Sequence, residues 1–282
     1  MDLSEFKNRS IRETNQQWIE SNNEYQKIIQ GMKEIEAFLD EFDFLVFGRD
    51  MVFCKKHLFS IRTISTAIEL TAGSIISCCE AGCLADAFTL LRKYRDDLFF
   101  FLYIVVYETN MHQEEKTEKT ETMENNIDRW INNNLCNLSI GEVLKTIGQS
   151  SQVADAVKKY NMQNYFDTIE RRLNDYVHSN GISYYNQNII AYRNNELKEL
   201  LFSLINDMRL ITVTFMFLLT LCSPLSIMSS DYIDCLECNM TPPEGSQYWV
   251  APYITDFFRK NMDLIDKSCI DYLRENTSME IE

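Results

Sequence analysis

"LADAFTLLRKYRDDLFFFLYIVVYETN", residues 84–110, runs without a Gly or Pro and gathers most of its charge in one interior cluster, Arg92, Lys93, Arg95, Asp96 and Asp97. A helix over this stretch would span about 40 Å. It is the most hydrophobic helix expected in the first half of the chain. The whole chain agrees. Only 8 Gly and 4 Pro occur in 282 residues, and Pro242, Pro243 and Pro252 fall in one late stretch. A sheet protein needs turn residues far more often. The expected fold class is therefore all-α, a helical bundle, and the 45% hydrophobic content is enough to bury a sizeable core.

On the N-terminal side, residues 4–40 carry Ile11, Trp18, Ile19, Tyr25, Ile28, Ile29, Met32, Ile35 and Phe38 at three- and four-residue steps, which predicts a long amphipathic helix. "EFDFLVFGRDMVF" is a short apolar connection to a second helix from about Ser60 to Glu80, ended by "EAGC" with Gly82. On the C-terminal side, "HQEEKTEKTETMENN" is rich in charge and Thr and predicts a mobile loop over about 109–126. Short helices follow, broken by Asn and Gly. "NYFDTIERRLNDYVHSNG" then predicts a firm helix, with Gly181 placed to stop it near Ser179 or Asn180. A long apolar helix over 189–222 comes next. The resulting organisation is an N-terminal helix (1–45), a helical bundle (46–222) and a turn-rich, partly helical extension (223–282) packed back on it.

Charge and cysteine usage narrow the function. A formal net charge of −15 repels nucleic acid over most of the surface, so any such site must be a local positive cleft or be completed by a second chain. Nine cysteines, an odd number without a regular framework, and a start (MDLSEFKNRS) lacking an apolar leader point to a reducing cytoplasm. "LITVTFMFLLTLCSPLSIMSS", residues 210–230, approaches the length of a bilayer span, but Pro224, its Ser and Thr content, and the flanking Asp207 and Arg209 favour a buried helix and no membrane. Cys235 and Cys238 form a C-x-x-C without a matching second pair, so neither zinc nor another cofactor is expected. No phosphate-cradling Gly loop, nucleophile elbow or paired metal carboxylates occur.

The chemistry that remains lies in "RRLNDYVHSNG", residues 171–181. At about 100° per residue, Arg171 and His178 project within about 20° of each other, with Asn174 between them, while Arg172 lies about 120° from His178. Asp175 is within one turn of both Arg171 and His178. Histidine suits proton transfer near neutral pH, and arginine grips phosphate oxygens. Such a pair can cleave RNA without metal, the 2′-hydroxyl attacking the adjacent phosphorus. Arg92, Arg95 and Asp96 are expected to support the site, the arginines by positive potential and Asp96 by holding His178. Tyr184 and Tyr185 are near enough in sequence to stack on a base. The bland alternative is a surface Arg–Asp pair beside a helix-terminal His.

"RRLNDYVHSNG" resembles the arginine-to-histidine motif of the HEPN superfamily, and the order of a long helix, an insertion, the motif helix and a long apolar helix is similar over about 60–222. The resemblance implies an HEPN-like helical bundle and a metal-independent endoribonuclease, acting on RNA as a homodimer. It implies a setting in phage defence or a toxin–antitoxin system, with an antitoxin or another defence protein as partner. Carried onto this chain, it implies His178 as general acid–base and Arg171 or Arg172 as the phosphate-binding group. It also implies an alternative, a catalytically inactive module that binds a nucleotide or a protein.

Overall fold

A computed structural model of the chain describes residues 11–46, 50–111, 117–134, 138–188, 194–242, 249–277 and 279–281. The fold is all-α: thirteen α-helices and one small two-stranded sheet among the described residues. The predicted N-terminal helix divides at Asn22 into α1 (Ile11–Ser21) and α2 (Asn23–Val46). Asn22 accepts from the Tyr25 backbone N–H at 3.1 Å, capping the second helix. The apolar connection becomes a hairpin, β1 (Met51–Cys54) paired antiparallel with β2 (His57–Ser60). Lys55, at φ 53, makes its tight turn. Period-two burial in "MVFC", with Val52 and Cys54 inward, is the local reason.

Next come α3 (Arg62–Glu80) and α4 (Leu84–Met111). They join through Gly82 at φ 77, where the Cys83 N–H bonds to the Cys78 carbonyl at 2.7 Å and the Gly82 N–H to the Cys79 carbonyl at 3.1 Å. That is the paired closure that lets a chain leave a helix in a left-handed step. The mobile loop expected over 109–126 is a correction. Residues 109–111 complete α4, Thr117 caps a new helix, α5 (Glu118–Ile131), and residues 112–116 lie outside the described set. The α5 helix buries Thr120, Met123 and Ile127 at steps of three and four, a stripe too narrow to stand out among its charges.

Short helices α6 (Ile140–Ile147) and α7 (Ser151–Lys159) lead into α8 (Met162–Val177), the motif helix. A five-residue helix, α9 (Ile182–Asn186), follows, and α10 (Asn194–Cys222) is the long apolar helix. This is the one described helix long and apolar enough to cross a membrane, yet 83% of its apolar window is buried inside the protein. It serves as the core helix. The Tyr94 and Thr212 hydroxyls meet at 2.6 Å between α4 and α10, and Phe42, Phe101 and Phe215 pack edge to face across α2, α4 and α10.

The C-terminal stretch contributes α11 (Ser230–Glu237), α12 (Pro252–Asn261) and α13 (Cys269–Asn276). Phe257 of α12 stacks on Phe38 of α2 with centroids 3.9 Å apart. Tyr272 of α13 donates to the Gln152 carbonyl at 2.7 Å. One continuous apolar core runs from α1 to α13, so the N-terminal helices and the C-terminal extension share it with the central bundle.

Candidate functional site

Helix α8 is oriented by its buried side chains Met162, Phe166, Ile169, Leu173 and Tyr176. Phe88 of α4 stacks on Tyr176 with centroids 4.2 Å apart, and Phe99 meets Phe166 edge to face at 5.1 Å, so α4 and α8 run antiparallel. With that stripe facing the core, helical geometry turns Arg171 and His178 about 160–180° away from it, side by side on the outer face. Both are exposed. Neither has a hydrogen-bond or ion-pair partner among the described residues. Asn174, beside them, is half-buried, and its Oδ1 is shielded from solvent without a partner.

His178 ends the helix as its C-cap, its N–H bonded to the Asn174 carbonyl at 3.0 Å. The left-handed step belongs to Ser179 at φ 49, not to Gly181, whose φ of 167 is extended. The Asn180 N–H reaches the Asp175 carbonyl at 3.0 Å and its side-chain amide donates to Asp175 Oδ1 at 2.9 Å. Asp175 is thereby committed to closing the helix end. Burial, and then the Asp175 carboxylate, raise the Tyr184 phenol above its usual range. Tyr184 packs edge-on against Tyr176 at 4.8 Å, whereas Tyr185 stands 65% exposed.

Arg172 takes a different direction from Arg171. About 80° from the middle of the buried stripe, it donates to Ser203 Oγ at 2.9 Å and pairs with Asp207, both on α10. Asp207 is buried, and desolvation outweighs the neighbouring guanidinium, so its carboxyl is pushed up to about 6. Tyr176, on the same flank, is pushed up to about 12, chiefly by burial and against a hydrogen bond with Gln187. Arg172 Nε, Asp207 Oδ2 and Gln187 Oε1 are each shielded from solvent without a partner among the described residues. This is a dry polar seam behind the motif helix, tying α8 to α10.

The supporting charges on α4 lie elsewhere, which corrects one expectation. Arg95 is buried and donates to Asp96 Oδ1 through Nε at 3.0 Å and Nη2 at 2.8 Å, while Arg92 faces Asp96 Oδ2 at 3.7 Å. Asp96 is about 12 Å along α4 from Phe88, the residue level with Tyr176, and His178 lies on the far side of that level. Asp96 therefore does not hold His178, and Arg92 and Arg95 neutralise Asp96 rather than the motif face.

Sequence reasoning missed Asn188. Its Oδ1 accepts from the Ala85 N–H at 3.0 Å, its amide reaches Asp86 at 3.4 Å, and its carbonyl accepts from Asn15 at 3.2 Å. It pins the segment after the motif to the start of α4 and to α1. No periodicity marks such a residue. Among the described residues no three His, Cys, Asp or Glu side chains are grouped to hold a metal ion. Comparison of the chain with protein-family models, curated proteins and solved structures gives no match.

Proposed function

We propose that the chain is an HEPN-like, metal-independent endoribonuclease of the cytoplasm, acting as a homodimer in phage defence or a toxin–antitoxin pair. The observation that carries this reading is the placement of Arg171 and His178, adjacent on the outer face of α8 and without a partner among the described residues. His178 would take the proton of the ribose 2′-hydroxyl as that oxygen attacks phosphorus. Arg171 would neutralise the phosphoryl oxygens. The 5′-oxygen of the next nucleotide would leave with a proton, giving a 2′,3′-cyclic phosphate. Arg172 serves such a site indirectly, by holding α8 on α10. An outer face cannot exclude water alone, so a second copy is needed to turn it into a cleft. The exposed Val177, Ile182 and Tyr185, close to the motif in sequence, are apolar surface such a copy could cover.

The test is cleavage of a mixed RNA substrate in EDTA by wild type, His178→Ala and Arg171→Met. Loss in both variants, with unchanged far-UV circular dichroism, is the expected result. Equal rates in wild type and His178→Ala would remove His178 from the mechanism. The commitment of Arg172 to Asp207 and the net charge of −15 favour a second reading, a catalytically silent module that binds a nucleotide or a partner protein. Expression separates the two: a ribonuclease arrests growth unless His178 is replaced, and a silent module does not.

A further inference from the structure

Away from the motif helix, α2, α10 and α12 enclose a cleft of about 470 Å³, within the range of small-molecule sites. Its construction begins with Gly31, a buried glycine in the interior of the 24-residue helix α2, where glycine costs about 1 kcal/mol relative to alanine. A Cβ at that position would stand 2.9 Å from Arg209 Nη2 and 2.8 Å from Ile205 Cδ1. The missing side chain is thus the space in which the Arg209 guanidinium lies against α2.

Arg209 has no carboxylate, carbonyl or hydroxyl partner among the described residues, although it is half-buried at a three-helix junction. An ordinary structural arginine drawn into such a place pairs with an acid, as Arg172 does with Asp207. Three acids line the same cleft: Asp256 pairs with Arg259, while Glu34 and Glu41 have no partner among the described residues. The apolar wall of the cleft is aromatic: Phe38 stacks on Phe257, and Tyr253 packs against Phe38 at 5.9 Å. The Tyr253 hydroxyl is itself shielded from solvent without a partner, and burial, then Glu41, raise it above the usual phenol range.

Two cations, Arg209 and Lys260, line the cleft and would suit a simple anion, but the three carboxylates in the same lining repel polyanions such as RNA or a nucleoside triphosphate. Opposite charges and an aromatic wall in one cleft match a ligand carrying both signs and an apolar body. We propose that this cleft binds a small zwitterion with an apolar body, of the free amino-acid class. Its carboxylate lies on Arg209, its ammonium faces Glu34, one turn along α2 from Gly31, and its side chain rests on the Phe38–Phe257 wall. The site is distinct from the motif face and does not depend on the chain being a nuclease.

Isothermal titration of the full chain with L-phenylalanine, phenylacetate and phenethylamine tests it, the second probe lacking the ammonium and the third the carboxylate. Saturable binding of L-phenylalanine is expected, weakened at least about tenfold in Arg209→Met, as loss of a charge-assisted hydrogen bond implies. Phenylacetate and phenethylamine should each bind more weakly than L-phenylalanine. Gly31→Ala is the second variant, since its added methyl displaces the guanidinium while favouring the helix, and it should weaken binding too. Absence of saturable binding by wild type, or equal binding by wild type and Arg209→Met, overturns the site. Phenylacetate binding as tightly as L-phenylalanine overturns the zwitterion.

Discussion

Replacing Asp207 by asparagine tests the seam that seats the motif helix. Asp207 is 5% exposed and its carboxyl is raised from an ordinary 3.8 to about 6, because burial penalises its charge more than Arg172 favours it. A carboxyl whose folded pKa exceeds its unfolded one binds more protons when folded between the two values. Stability therefore falls as pH rises from about 4 to about 6, and the whole cost is present above that window. At 1.36 kcal/mol per pH unit the cost is about 3 kcal/mol, of which about 2 kcal/mol develops between pH 4.5 and 7.5.

Asparagine keeps an oxygen for Arg172 and cannot ionise. The stability of Asp207→Asn relative to wild type should therefore improve by about 2 kcal/mol between pH 4.5 and 7.5, whatever its absolute level at either end. Urea unfolding followed at 222 nm across that range reads the difference directly. A wild-type-minus-variant difference that stays flat with pH would refute the reasoning, because it would mean the carboxylate is solvated or fully compensated by Arg172.

Arg172→Met should destabilise the chain by about 3 kcal/mol at pH 8, since it strands a buried carboxylate, and by clearly less at pH 5; urea midpoints at the two pH values check it. Phe88→Ala removes a fully buried ring stacked on Tyr176 and should cost about 3–5 kcal/mol by the same assay. Ser179→Gly relieves a left-handed serine at φ 49 and should add about 1 kcal/mol, seen as a raised melting temperature. Ser139→Ala breaks the capping box with Glu142 at the start of α6 and should cost about 1 kcal/mol, visible in thermal unfolding.

Much of the fold is legible where apolar spacing is dense. The stripe Phe166, Ile169, Leu173 and Tyr176 fixes both the existence of α8 and the side it buries, and the uninterrupted 84–110 stretch becomes α4 over Leu84–Met111. Legibility fails where burial is sparse or is supplied from far along the chain. Helix α5 rests on three inward residues set among charges, and its Asn126 and Lys55 contacts, to Tyr103 at 3.1 Å and from the hairpin to Asp128 at 3.1 Å, come from distant segments. The Asn188 clamp depends on Ala85 and Asn15, residues that no local window contains.

The two adjacent arginines show the same limit at the site itself. Spacing alone measures the angle between Arg171 and His178, but what each side chain can do depends on its angle from the buried stripe. Measured from that stripe, Arg171 and His178 point outward and have no partner among the described residues, whereas Arg172 points along α10 and is held by a carboxylate that nothing near it in sequence announces. Arg172 is thus fixed by folding and Arg171 is left to whatever the outer face meets. A residue that the fold does not use is the one whose identity must be explained by a partner or a substrate, and on α8 that description fits Arg171 and His178 together.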